Sequence, residues 1–579
     1  MSKLIYTLFF YIIICNNSFS QKMEWFNIFL SENYENSIGQ TFIDNDTTLY
    51  LSGSFRKNIN LDIKNGSDNK ILNNSNIHHF LAKWDKNKNL KWVKFIDPNT
   101  VSSQTKFEKI GFTLDNHKNI YQLGVYYNKL LLYDIDTQIV SKGFRSSYIV
   151  KFDSDGNRKL LKVLNNNTNF ECLKKILYSN SSHLYIAGNI EDSFKFLSQD
   201  SRDSVKLYSK YKNFSFVCKL DTLGNIRWMK QFHSPFSAIV DYTIDSSENI
   251  ILSGIYKDTI YSNPNSEKEF LVVNKKDNIF TFLVKINSNG EHIFSSNLNN
   301  TLYNSIVCDN SQNIYLSNYF NGKINLSPNV SVEALEKNRF DKLIIKLDSL
   351  GTYLWHKQFK KYRKFDYVSR QNQMSIDSFI VIGGNFDDEL IFDSEIKLVS
   401  NDYKPYSYLS VLDKSGKLLS AIILKTNGEF TETRHVFQNK NGILWSGYVT
   451  GDTDFDPTKK EDVKKVNNHP AGFVVKLSFD SYNENDLDNG DSSNSSINSN
   501  IQESWSFYPN PIKSNLKIKF PNNSHNTNVK IYDILGKNVF STIFEKTENV
   551  IDLNFLTKGV YYLELENEDY KQVSKIEKE

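Results

Sequence analysis

The chain of 579 residues is too long for one ordinary core, so it must hold several domains or a repeat array. Its 69 basic and 66 acidic residues are mixed along the chain and leave a net charge of +3 without a basic stripe, which excludes an electrostatic case for nucleic acid or an anionic membrane as partner. Aromatic residues make up 14% of the chain, a richness that favours strands over helices.

Residues 1–20 read as a signal peptide. Lys3 supplies the positive start, Leu4 to Ile14 the apolar core, and Ser18-Phe19-Ser20 a small-x-small site, so cleavage is expected between Ser20 and Gln21. The apolar run falls short of the roughly 20 residues that span a bilayer, and no transmembrane segment is expected. Cys15 raises a lipoprotein alternative, but a lipidated Cys follows a small residue and this one follows Ile14. Behind the leader lie Cys172, Cys218 and Cys308, an odd count that argues against a disulfide framework. Each adjoins an apolar run, so buried free thiols are expected, and none has a Cys or His at metal-ligand spacing.

Residues 21–480 carry a repeat whose form is plainest in Ser215 to Phe232. Phe216, Cys218 and Leu220 alternate as a strand, Asp221-Thr-Leu-Gly224 makes a tight turn, and Ile226, Trp228, Lys230 and Phe232 alternate out again. The turn opener recurs as Asp85, Asp153, Asp221, Asn287, Asp348, Asp413 and Ser478, at spacings between 61 and 68 residues. A second signal keeps step: an apolar run broken by Gly, as in TTLYLSGSF ending at Phe55, with Asn318 in the Gly place of the fifth copy. Such a Gly marks a bulge or a close backbone approach. The strand after each turn carries Trp92, Leu160, Trp228, Phe294, Trp355 and Ser420 in turn.

The seventh copy of that strand, Glu24-Trp25-Phe-Asn-Ile-Phe29, stands alone ahead of the first unit, and the last unit lacks one after Phe473 to Asp480. The two deficits match. Four strands in about 65 residues make one propeller blade, and a ring of blades must close without leaving sheet edges exposed. The fold expected is therefore all-β: a seven-bladed β-propeller closed by the N-terminal strand with Trp25, against the alternatives of two smaller β domains or an open solenoid.

Residues 481–504 are polar and almost free of apolar side chains, a flexible linker. Residues 505–579 form a second small β domain, in which Leu516–Phe520, Val529–Asp533 and Val560–Leu565 alternate as strands. An immunoglobulin-like β-sandwich fits this length.

The quoted repeat motifs resemble the SBBP-type β-propeller repeats of bacterial surface proteins, which implies the propeller fold and says nearly nothing of a ligand. The last 75 residues resemble the type A C-terminal sorting domain of the type IX secretion system of Bacteroidetes. The matching residues are Tyr508-Pro509-Asn510-Pro511, Asp533 with Gly536-Lys537, and Gly559-Val-Tyr561. This resemblance implies passage through the periplasm and across the outer membrane, with the type IX machinery and a sortase-like peptidase as partners. The product would be secreted or attached to the outer cell surface.

Motifs for catalysis are absent: no G-x-S-x-G, no H-E-x-x-H and no phosphate-cradling Gly loop. His78-His79 is expected in an exposed loop ahead of a strand. Asp452, Asp454 and Asp456 are the weak candidates for a Ca²⁺ site, and no other cofactor is expected. The function expected is a non-catalytic binding module that takes a glycan or protein through variable segments such as Lys195 to Asn213 and Ser262 to Lys276. The alternative is an extracellular polymer-degrading hydrolase or lyase with acidic residues around the propeller axis.

Overall fold

The computed structural model describes residues 20–480 and 506–578, apart from short segments within these ranges, the longest being 98–110, 363–372 and 197–204. The chain divides into two compact units, one reaching Tyr482 and the other starting at Asn483.

In the first unit the sequence period of about 65 residues becomes seven antiparallel four-stranded sheets. The first sheet is Asn36–Ile43, Leu49–Arg56, Ile77–Trp84 and Leu90–Asp97, and the second to sixth repeat this order along the chain. The seventh takes Thr431–Asn439, Gly442–Val449 and Ala471–Asp480, and its outer strand is the N-terminal Ser20–Phe29. That ladder runs from Ser20 opposite Asp480 to Phe29 opposite Gly472, with a bulge between Met23 and Trp25.

Each sheet buries one face on the sheet before it and the other on the sheet after. Tyr185 and Val217 of the third sheet share a core with Ile239, Leu252 and Phe282 of the fourth. Equivalent clusters join every consecutive pair, and Leu444 and Val474 of the seventh sheet share a core with Ile38, Leu51 and Phe80 of the first. The first strands also lie side by side, each next to the first strand of the following sheet and the seventh next to the first.

The repeated motifs are the contacts between neighbours. Asp221 accepts the amides of Leu223 and Asn225 at 2.9 and 2.8 Å, and Gly224 closes the turn at a φ of +74°, where a side chain is strained. The outer-strand aromatic of one sheet lies under the turn of the next. Trp92 packs on Gly156 and donates to the Ser154 carbonyl at 3.1 Å, and Trp228 donates to the Ser288 carbonyl at 2.9 Å. Trp25 meets the turn of the first sheet through its ring face, with the Lys88 ammonium 4.7 Å from its ring centre. The Gly of the second strand is needed for close approach. A Cβ at Gly53 would stand 2.5 Å from both the Phe80 ring and the Ser37 carbonyl oxygen. In the fifth sheet Asn318 stands opposite Leu343, which brings no ring over it.

One device was not evident beforehand. At the end of the second strand a residue adopts a left-handed backbone: Lys57, Asn128, Asp258, Gly322 and Gly451. It turns the chain into a short arm that reaches the outer strand of the preceding sheet. Ile96–Asp97 pair with Leu131–Leu132, Lys360–Tyr362 with Glu389–Ile391, and Lys425–Thr426 with Thr453–Asp454. Phe392 and Phe455, each followed by Asp in the sequence, are buried in two of these arms. Phe455 is buried and stacks on Phe26 of the N-terminal strand, ring centres 5.0 Å apart and planes parallel to within 1°.

The second unit is a sandwich of a three-stranded and a four-stranded antiparallel sheet. Leu516, Ile518 and Ile551 of one share an apolar core with Val529, Ile531, Leu563 and Leu565 of the other.

Candidate functional site

The richest polar chemistry sits where sheets meet. The Lys of the turn motif lies beside a second-strand Tyr and reaches across to the next sheet: Lys83 Nζ donates to the Ser154 carbonyl at 2.8 Å, Lys219 to Ser288 at 3.1 Å, Lys285 to Ser349 at 2.9 Å. The Tyr beneath it pairs with the Asp that opens the turn between first and second strands, as Tyr315 does with Asp309 at 3.0 Å. Burial first, then the Asp309 charge, pushes the Tyr315 phenol far above its ordinary range. Burial lowers Lys346, while hydrogen bonds from Asn313 and Tyr315 overcome burial and hold Asp309 below the usual carboxylate range. In the fourth sheet the Tyr is replaced by Ile251, and Lys285 pairs directly with Asp245 at 2.8 Å, both buried. The Lys contacts recur from sheet to sheet and tie each sheet to the next, while the Tyr50 and Tyr185 hydroxyls are buried without a hydrogen-bond partner.

The first strands carry the groups that could act on a ligand at the centre. Bulges after Ile38, Leu173, Ile239, Leu302 and Thr433 re-aim the side chains that follow. Gln40 brackets Phe112, donating to its carbonyl at 2.9 Å and accepting from its amide at 2.8 Å. Lys175 pairs with Asp241 at 2.7 Å, and the other Asp241 oxygen accepts the Ile306 amide at 3.0 Å. Glu432 faces Arg434 at 3.2 Å and accepts the Tyr448 hydroxyl. Asp241 and Glu432 are the carboxylates described in the first strands, and each is matched by a cation. Neither stands as an isolated general acid beside a free base, the arrangement glycoside hydrolysis uses.

One group has the residue types of a nucleophilic triad. Ser181 Oγ lies 2.8 Å from His183 Nδ1 and donates to Glu248, whose other oxygen accepts the Ser181 amide at 2.6 Å. The order is wrong for catalysis, because Ser bridges His and Glu where the His should stand between. Burial lowers the His183 pKa. The cluster joins the turns of the third and fourth sheets.

The remaining sequence candidates fall as follows. Asp452 accepts the Val466 amide at 3.2 Å and its backbone amide donates to Asn427, Asp454 lies in the arm strand, and Asp456 is outside the described residues. Among the described residues no three His, Cys, Asp or Glu are grouped to hold a metal ion. His78 and His79 are buried in the strand Ile77–Trp84, contrary to the exposed loop expected. Burial drives the His79 pKa down to about 3, helped by His78, and burial lowers His78 against the pull of Asp97. Cys218 is buried and Cys308 half-buried, both as free thiols, with Cys308 pushed up to about 12 by burial; the Cys172 side chain is outside the described residues. The segments 195–213 and 262–276 are in part strands of the arms, since Ser193–Phe196 pair with Val205–Tyr208 and Thr259–Tyr261 with Phe270–Val272. No helix among the described residues is long and apolar enough to cross a membrane.

In the sandwich Tyr508 ends the strand Ser506–Tyr508, while Pro509, Asn510, Pro511 and Gly536 lie outside the described residues. Asp533 accepts the Lys537 amide at 2.9 Å, and the hydroxyl of Tyr561, two residues after Gly559, donates to the Thr557 carbonyl at 3.0 Å.

None of the curated proteins compared matches the chain significantly. Among solved structures it is similar to a protein of unknown function from Dyadobacter fermentans DSM 18053, at 10% identity and a TM-score of 0.34, over 79% of this chain and 99% of that one. It is also similar to PorZ, an essential bacterial surface component of the type IX secretion system of Porphyromonas gingivalis, at 9% identity and a TM-score of 0.14, over 96% and 100%. A xylan β-1,4-xylosidase from Bacillus halodurans C-125 follows at 8% identity and 0.24, over 78% and 96%. With TM-scores below 0.5 these likenesses bear on neither fold nor function. Residues 506–579 match the family described as the secretion system C-terminal sorting domain. The chain thus carries a type IX sorting domain and is exported across the outer membrane, to the cell surface or into the medium.

Proposed function

We propose that the exported chain is a non-catalytic binding module: a closed seven-bladed propeller of SBBP-like units that engages an extracellular glycan or protein. After Sec export and cleavage between Ser20 and Gln21, the type IX machinery would carry it outward. A sortase-like peptidase would then remove the immunoglobulin-like sandwich 505–579. The cyclic order of sheet contacts, with the seventh sheet on the first, supports closure. The observation that carries the binding reading is that the inner carboxylates Asp241 and Glu432 are both matched by cations within the protein. Carboxylates held in internal ion pairs are suited to fixing neighbouring strands rather than to passing protons to a substrate. Calcium at Asp452, Asp454 and Asp456 would serve the arm, not a reaction.

The test is an array of glycans and extracellular proteins probed with the leaderless chain 21–579, alongside release of reducing sugars from the glycans. Saturable binding without release supports the reading. Turnover abolished by Asp241→Asn or Glu432→Gln would establish the hydrolase instead.

A further inference from the structure

The scissile bond of the leader lies inside the ladder that shuts the ring. The N-terminal strand starts at Ser20, with no spacer: Ser20 stands opposite Asp480, Gln21 opposite Phe479 and Lys22 opposite Ser478. Behind this end the strand is committed to the seventh sheet, with Phe29 fully buried and Met23, Phe26 and Ile28 packed against the core of that sheet. A peptidase takes its substrate as an extended strand paired along the backbone. The stretch on either side of Ser20–Gln21 cannot lie in a peptidase and in the ladder at once.

We propose that leader removal and ring closure exclude one another at residues 20–22, so that hydrolysis of the Ser20–Gln21 bond must come before the ring shuts. This rests on the leader reading above. Water adds across the amide; Ser20 departs with a carboxylate and Gln21 keeps an ammonium. The order of synthesis favours cleavage, because the partner strand Ala471–Asp480 is the last of the unit to be made. At roughly 5–20 residues per second, about 20–90 s separate the two halves of the ladder. A precursor that closes first holds its own cleavage site shut, opening only as fast as the ladder end frays.

The experiment uses the full precursor 1–579 purified with its leader, and leader peptidase in detergent. A synthetic peptide of residues 1–30 must first be cut between Ser20 and Gln21; an uncut peptide overturns the leader reading itself. Given a cut peptide, the folded precursor is expected to be cleaved at least about tenfold more slowly than the same precursor freshly diluted from denaturant. Ser478→Pro, which breaks the ladder opposite Lys22 and leaves the rest of the N-terminal strand paired, should restore rapid cleavage of the folded form. Equal rates for folded and unfolded precursor overturn the proposal, as does continued resistance in the Ser478→Pro protein while its thermal melting matches the parent.

Discussion

The seventh sheet and the six before it solve one packing problem with different covalent means. Sheets one to six are each a continuous run of chain, whereas the seventh draws its outer strand from a point more than 400 residues away. The contacts are nevertheless the same in kind. Trp25 lies over the turn of the first sheet as Trp228 lies over the turn of the fourth. Phe455 plugs the arm of the seventh sheet as Phe392 plugs that of the sixth, where it meets Phe359 edge-on at 4.8 Å. Position within the sheet, not connectivity along the chain, sets the role of a residue.

The sharpest break of this equivalence is removal of residues 21–30. It strips the seventh sheet of its outer strand and opens the core that holds Phe29, so loss of the whole cooperative transition is expected in thermal melting; an unchanged melting curve would show that the strand is dispensable. The converse is a circular permutant of 21–480, with its old ends joined by a hairpin loop of about two residues and new ends between Thr222 and Leu223. If connectivity is indifferent, it melts near the parent. Next in size, Phe455→Ala and Phe392→Ala should each cost about 3–5 kcal/mol in denaturant unfolding, and a gap of more than about 2 kcal/mol between them would break the parallel.

A smaller effect concerns acid. His79 is buried uncharged, with its pKa lowered by burial to about 3, against about 6.5 in the unfolded chain. The unfolded state therefore binds the proton first. Stability is complete above about pH 6.5 and falls as pH drops toward 3. His79→Ser, which copies Ser147 and Ser215 at the same place in the next two sheets, should flatten that part of the pH–stability curve. The smallest change expected is from Glu24→Gln. The Glu24 carboxylate is 2.6 Å from Lys476 and about a third exposed, so less than about 1 kcal/mol should be lost.

The strands were legible because alternation and turn chemistry are local. The pairing of Ser20–Phe29 with Ala471–Asp480 was legible from two matching deficits, which are a matter of counting. The arms were not: strands of two or three residues carry no period, and the left-handed position is held by Lys57, Asn128, Asp258, Gly322 and Gly451 without a constant residue type. His79 was misplaced because its neighbours are polar on purpose. Its position belongs to a belt where Ser215 meets Ser237 at 3.0 Å and Thr281 meets Thr301 at 2.6 Å between sheets. A polar residue at a strand start reads as loop when the belt it belongs to is assembled from different sheets. The pairing of Lys175 with Asp241 was hidden for the same reason, since the partners lie on first strands of different sheets.

The boundaries of the sequence period bear on how such a chain can grow. Because the sequence period starts at an outer strand and ends within a sheet, copying one period supplies the last strand of one blade and the first three of the next. An inserted copy finds a neighbour's strand to complete it on one side and a neighbour's rim to hold on the other. Gain or loss of a whole period thus leaves no orphaned edge between neighbouring sheets.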